Sequence, residues 1–422
     1  MKMFINGKAC DASSGETIEV TNPANGAVID TVPAATPEDV ASAVAYAKAA
    51  QKEWVKVPIH ERVDYMMKFL DLVERDKEEL ARTLSNETGK PITEARAEIG
   101  NIPIAFKAFS ERVKHLYDEV VPAGIEAGQE KTVLITRREP LGVVVAVIPF
   151  NFPCDLFDQK VAPALLSGNA VIVKPSTDNP LTLCMLTQLL GEAGVTPGAA
   201  QIVTGRGSVV GHELCANPDV DLVTLTGSTQ VGIETAEVCA KTLTHTALEL
   251  GGNDAFIVMS DADIDLATDE LIWGRMYNTG QVCCASKRFL VHKDVVDEFT
   301  KKAVEKISAL KQGDPADDAT QIGCLISEHA AKKVEEQVNL TVEQGGKIIL
   351  GGKRNGAFYE PTVIVDVPKT ADVASDMEIF GPVVPIITFE TEEEAIEIAN
   401  GSMFGLCGCV FSADQKTCAR VA

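Results

Sequence analysis

Apolar and polar positions alternate between two rhythms along this chain. Residues 1–35 carry short apolar runs (MFING, TIEVTNP, AVIDTVP) broken by Gly and Asn-Pro, which predicts small strands and turns. Three helical patterns follow. Pro37 to Trp54 is rich in Ala with spaced apolar positions. Val63, Met66, Met67 and Leu70 then fall at i, i+3, i+4, i+7 and continue to Val73, opposite a charged face. A third pattern spans about Ile92 to Leu116. From Thr132 to Arg138, TVLITRR suits a strand ending at Glu139-Pro140. Continuous apolar strands then alternate with helices: VVVAVIPF, Gln159–Ser167, AVIVKPS, Leu181–Gly194, AQIVTG, VDLVTLTG and Val231–Thr242. Apolar strands separated by helices imply a doubly wound parallel sheet, whose ligands sit beyond the C-terminal strand ends. A second alternating segment starts near ALELGGNDAFIVM, placing a boundary close to Glu249–Gly252.

The bulk numbers narrow the class. A chain of 422 residues exceeds one ordinary core, so two or three domains are expected. Lys plus Arg number 38 against 61 Asp plus Glu, a net charge of −23 that repels nucleic acid and anionic membranes. No apolar run reaches the ~20 residues of a membrane span, and no secretory core follows the first basic residue. The 11 cysteines fit reduced thiols in a cytoplasm better than a disulfide framework.

Several short stretches could carry chemistry, and each is weak alone. TLTGSTQVG (224–232) enters a helix through Gly227 and Gly232, whose spacing is neither a P-loop nor the usual dinucleotide fingerprint. AVIVKPST puts Lys174 at a strand's C-terminal end, with Ser176 and Thr177 after it; alone, Lys174 reads best as a solvated lysine. VIPFNFP holds Asn151 between Phe and Pro neighbours, where its amide could serve an oxyanion or merely a turn. Glu249 follows an apolar run, and a carboxylate in apolar surroundings is a suitable general base. Cys283 and Cys284, in MYNTGQVCCASKR, have no His near them in sequence and no ligand spacing for a metal, so no metal is expected.

PFNFP, KPST, TLTGSTQVG, LELGG, GQVCC, EIFGPV and NGSMFGL, in this order, resemble the NAD(P)-dependent aldehyde dehydrogenase superfamily across essentially the whole chain. TRREPLG and the short N-terminus look most like its lactaldehyde dehydrogenase branch. The resemblance implies an α/β fold of two doubly wound parallel-sheet domains plus a small β arm. The cofactor domain would comprise 1–125 and 141–249, the oligomerisation arm 126–140, and the catalytic domain 250–422, C-terminally incomplete. It implies that Cys283 is the nucleophile, with Cys284 as packing, Glu249 the base, Asn151 the oxyanion amide and Lys160 a proton relay. Lys174 would bind the adenosine ribose, with Ile148, Ser176, Thr177, Gly207, Gly227, Ser228 and Val231 around the adenine and diphosphate. Leu250 and Gly251 would lie beside the nicotinamide, Glu378 on its ribose and Phe380 next to it.

The reaction implied is oxidation of an aldehyde to its acid with NAD or NADP through a thioester. Thr177 stands where NAD-preferring relatives often carry Glu, which admits the 2′-phosphate of NADP. Phe152, Leu156, Gln159 and Val282 would face the substrate. Gln159 stands where succinate-semialdehyde enzymes of the family carry an Arg, so a dicarboxylic semialdehyde is disfavoured; the likeness to the lactaldehyde branch implies a short hydroxyaldehyde such as lactaldehyde or glycolaldehyde. A homo-dimer or homo-tetramer is expected if the C-terminal strand is present. Two alternatives stay open: a CoA-acylating enzyme, and a truncated inactive chain associating with homologues.

Overall fold

The computed structural model describes residues 1–422 and contains two principal sheets. The first has seven strands, in the order His245–Glu249, Leu222–Thr226, Val143–Val147, Ala170–Lys174, Ala200–Ile202, Met3–Ile5 and Lys8–Cys10. The first five run parallel, and the N-terminal hairpin closes the far edge antiparallel. Its central strands explain their unbroken apolar sequence. Val143 and Val145 pack with Val40, Val44 and Ile172 on one face, while Val144 and Ala146 join Phe69, Phe106 and Phe157 on the other. Both faces are covered by helices, so Val143–Val147 and residues 170–173 are apolar throughout.

The chain crosses into a second sheet between Glu249 and Asp254. That sheet has six strands, in the order Lys347–Leu350, Thr362–Val365, Val383–Phe389, Ser286–His292, Asp254–Val258 and Gly408–Phe411. Only Lys347–Leu350 is antiparallel to its neighbour. The strand sides again divide between two cores, with Phe256 and Phe289 in one and Ile257 and Leu290 in the other.

Local signals set the helix ends that matter for the site. Helix Ile59–Thr88 stops at Gly89, where φ is 76°. A Cβ there would sit 2.3 Å from the Cys324 Sγ, so the stop requires glycine twice over. It delivers Lys90 and Pro91 directly into helix Ile92–Val113. Helix Thr229–Cys239 is capped by Ser228.

Beyond shifts of two or three residues at several ends, two element starts differ from the sequence reading and one helix is added to it. Helix Pro153–Leu166 begins six residues before Gln159, because Pro153 at its first position starts it. The projecting hairpin pairs Glu119–Val121 with Leu134–Thr136, so its first strand lies ahead of residue 126. Three residues, EVV, are too few to show a period. Helix Glu328–Glu343 has no counterpart among the expected elements, although Ala331, Val334, Val338 and Thr341 form a clear buried stripe.

Candidate active site

The C-terminal ends of Val143–Val147 and Leu222–Thr226 open onto a cleft of about 400 Å³ between the two sheets. Asn151, Gly227, Ser228, Leu250, Gly251, Cys283, Glu378 and Phe380 all line it. Residues as far apart as 151 and 380 therefore meet in one place.

The nucleophile segment is held in an unusual backbone. Asn278, Thr279 and Gly280 have φ of 49°, 55° and 76°, three successive left-handed residues. A Cβ on Gly280 would fall 2.3 Å from the Gly381 carbonyl oxygen, so the segment can touch the EIFGPV turn only through glycine. The strain is offset by hydrogen bonds from every side. The Asn278 N–H donates to Glu94 at 2.8 Å, and its side-chain amide donates to the Asn151 carbonyl at 2.9 Å. Gln281 Oε1 accepts from the Ile326 N–H at 2.9 Å.

Asn151 is buried, and its Nδ2 donates to the Gln281 carbonyl at 3.1 Å. An amide nitrogen carries two N–H donors, so one remains for the cleft. The Asn151 carbonyl also accepts from Lys90 Nζ at 2.9 Å. Lys90 is itself fully buried and paired with Glu98, which accepts from the Cys154 N–H at 2.8 Å. This buried ion pair, absent from the sequence reading, fixes the turn that carries Asn151.

Cys283 is half-buried and Cys284 exposed. The neighbouring Cys284 thiol, together with burial, raises the pKa of Cys283 above the ordinary thiol value, while the same neighbour lowers that of Cys284. Cys284 is thus not packing. It sits in solvent on the tight turn after Val282, which sequence does not reveal. Cys283 needs a base or a cation to become a thiolate.

Glu249 ends an exposed edge strand and is itself exposed, against the expectation of apolar surroundings. The apolar run before it, ALEL, is a sheet edge with only one neighbouring strand. The Glu249 carboxylate attracts Lys160, whose pKa is nonetheless lowered to about 8 by burial. Lys160 Nζ donates to Thr224 Oγ1 at 3.1 Å. A lysine with that pKa can accept and release protons near neutrality.

Lys174 is buried rather than solvated, donating to the Pro175 carbonyl at 2.7 Å, and burial lowers its pKa to about 8. Ile148 is buried and links the neighbouring strand end through its N–H to the Lys174 carbonyl at 3.0 Å. Thr177 donates to the Gly205 carbonyl at 3.3 Å, and the Ser176 hydroxyl accepts from the Asp178 N–H at 3.3 Å. Thr177 lines a second hollow, joined to the cleft through Asp178, Ile326 and Ser327. Val231 is exposed on the first turn after Ser228, and Gly207 opens a short helical segment, Gly207–Gly211. Neither lines the cleft itself.

Residues that suit a dinucleotide are present. Thr226 lines the cleft with a buried hydroxyl that has no hydrogen-bond partner. Beside it the helix start at Ser228 presents backbone N–H groups and the positive end of the dipole, suited to a diphosphate. Gly251 lies so close to Glu378 that a Cβ would fall 2.5 Å from its carboxylate. Phe380 meets Phe150 edge to face at 5.9 Å. Helix Glu328–Glu343 adds His329, Lys333 and Gln337 to the cleft at four-residue spacing. Its separation of charged and apolar positions was the signal that could have found it.

A doubly wound sheet with a dinucleotide cleft that also holds a cysteine defines a nicotinamide-dependent oxidoreductase with a thiol in its site. The chain belongs to the aldehyde dehydrogenase family, whose model matches residues 10–422. It is 38% identical to the D-glyceraldehyde dehydrogenase (NADP(+)) of Picrophilus torridus, covering 99% of this chain and 85% of that protein. It is 37% identical to the succinate-semialdehyde dehydrogenase [NADP(+)] GabD of Escherichia coli, over 99% and 86%. An NAD-dependent aldehyde dehydrogenase structure from Sinorhizobium meliloti superposes with a TM-score of 0.96 at 36% identity, over 100% of this chain and 84% of that one. The protein is accordingly an NAD(P)-dependent aldehyde dehydrogenase.

Proposed function

We propose that Cys283 attacks the aldehyde carbon and that the resulting oxyanion is held by the free Asn151 N–H and the Cys283 backbone N–H. Bound NAD(P)+ would supply the hydride acceptor. Lys174, Ser176, Thr177, Gly207, Gly227, Ser228 and Val231 would hold its adenosine and diphosphate, and Leu250, Gly251, Glu378 and Phe380 its nicotinamide end. Ile148 would contribute through its backbone. Glu249 deprotonates the water that hydrolyses the Cys283 thioester, releasing the acid and the thiolate. Its proton passes through Lys160 to solvent. The observation that carries this is the convergence of Cys283, Asn151 and Glu378 on one cleft. Abolished turnover in Cys283→Ala with NADP+ still bound supports it; retained turnover overturns it.

The substrate we infer is a short hydroxyaldehyde such as lactaldehyde or glyceraldehyde. Phe152 stacks on Tyr277 at 5.8 Å, and Trp273 lies 4.7 Å from Tyr277, giving an aromatic wall beside Asn151. Gln159, exposed two turns along the same helix, offers no cation for a second carboxylate. The glyceraldehyde-oxidising relative agrees with that. Steady-state kcat/KM for lactaldehyde, glyceraldehyde and succinate semialdehyde, with NAD+ and NADP+ in parallel, decides both substrate and cofactor. Preference for succinate semialdehyde would refute the inference.

No helix is long and apolar enough to cross a membrane. Eleven free cysteines suit the cytoplasm. We assign the first sheet and its helices to cofactor binding and the second to catalysis. The projecting hairpin, with Val120 71% and Val133 75% exposed, supports a homo-oligomer, which sedimentation of the chain would test.

A further inference from the structure

Lys287 stands four residues after Cys283, at the start of strand Ser286–His292, and is only 1% exposed. A buried ammonium costs several kcal/mol unless it is paired and hydrogen-bonded. Here its Nζ donates to the Cys283 carbonyl and lies 3.3 Å from Glu378 Oε1. Gly252 packs against both of these oxygens. The Gly252 N–H reaches Glu378 Oε1 at 3.4 Å, and a Cβ on Gly252 would fall 2.8 Å from the Cys283 carbonyl. Three remote segments therefore meet around one ammonium, with no room for another side chain. Gln337 and Arg275 hold the Glu378 turn from behind, through the carbonyls of Glu378, Ile379 and Val383.

We propose that Lys287 is a positioning residue that ties the backbone of Cys283 to the carboxylate of Glu378, so that a single ammonium sets both the nucleophile and the cofactor-facing acid. The proposal rests on the reading of Cys283 as nucleophile and Glu378 as a cofactor contact. Two consequences follow from the geometry. Holding the Cys283 carbonyl fixes the orientation of the same residue's N–H and thiol. The positive charge also favours the thiolate over the thiol. Burial lowers the pKa of Lys287, Glu378 and Asp254 oppose that, and Arg275 adds to it. These groups and Cys284 are the charged and titratable neighbours of the thiol–ammonium pair.

The test measures the pH dependence of Cys283 alkylation by iodoacetamide, followed by peptide mass spectrometry, in a Cys284→Ala background where Cys283 titrates alone. Lys287→Met should raise the midpoint by about one pH unit or more, the shift an opposite charge at this range produces. It should also raise KM for NAD(P)+ several-fold, because Glu378 loses the cation that aims it. Lys287→Arg, which keeps the charge, should bring the midpoint back toward that of the parent. Glu378 retains contact with solvent, which limits the cost of removing its partner. Should Lys287→Met not fold, Lys287→Gln makes the same neutral comparison. A folded neutral variant with unchanged midpoint and unchanged KM overturns the proposal. Turnover of Cys283→Ala separately tests the nucleophile, and the alkylation midpoint is readable whatever that result.

Discussion

Replacing Asn151 by Ala isolates one donor of the proposed oxyanion site. The side chain has two N–H groups, one engaged with the Gln281 carbonyl at 3.1 Å and one without a protein acceptor, on a residue that lines the cleft. Loss of a single preorganised oxyanion donor typically costs about 2.7–4 kcal/mol of transition-state stabilisation, or about 10²–10³ in kcat. Loss of the Gln281 bond adds about 1 kcal/mol, and that part falls on stability. The turn itself should survive, because Lys90 and Asn278 grip the Asn151 carbonyl, which the substitution keeps. The expected result is a kcat lower by two to three orders of magnitude, a Tm lower by only about one degree and an unchanged Kd for NADP+. Stopped-flow NADPH absorbance and titration of intrinsic fluorescence measure these separately. Asn151→Asp should be worse than Ala, since a carboxylate repels the oxyanion. A kcat within threefold of the parent in Asn151→Ala would remove Asn151 from the chemistry.

Three further outcomes are expected. The Lys160 pKa of about 8 lies below the unfolded value of ~10.4, so between them the unfolded chain binds more protons and stability rises with pH. Lys160→Met should flatten part of that rise in Tm and remove an inflection of kcat near pH 8; Lys174, also at about 8, and the lowered Lys287 sustain the remainder. Gly280→Ala should destabilise by roughly 2 kcal/mol or more and depress kcat, because a positive φ and the Gly381 oxygen both oppose a Cβ; thermal melts and activity would show it. Asp158, buried with one unpartnered oxygen and facing Asp155 and Glu98, has its pKa raised to about 9 by burial. Its raised folded pKa means that stability is lost as pH rises toward 9, so Asp158→Asn should gain roughly 1–3 kcal/mol and flatten the pH dependence of Tm.

Much of the architecture was legible because it rests on local, repeated signals. Continuous apolar strands separated by helices specify a sheet covered on both faces, and Val143–Val147 and Ala170–Lys174 lie where that rhythm puts them. The motif order was legible too, since Asn151, Lys174, Gly227 and Glu249 stand at or beside a strand or helix end, and Cys283 and Glu378 in the turns between elements, with small or rigid neighbours. Short and aperiodic pieces escaped, such as Glu119–Val121, whose three residues carry no pattern. So did the long-range polar partners. Glu98 is separated from the Cys154 N–H it accepts by 56 positions, and Glu94 from the Asn278 N–H by 184. Nothing local distinguishes these carboxylates from the solvated ones around them.

The sequence by itself determined the alternation of strand and helix, the crossing at Glu249–Asp254 and the family, because period, turn chemistry and motif order are properties of neighbouring residues. Tertiary structure alone decided which groups are dry. Lys90, Lys174 and Lys287 are buried cations, while Glu249 and Cys284 face solvent. Burial and charge pairing set how readily each group gains or loses a proton, and Lys287 meets Glu378, 91 positions later, only in the folded chain.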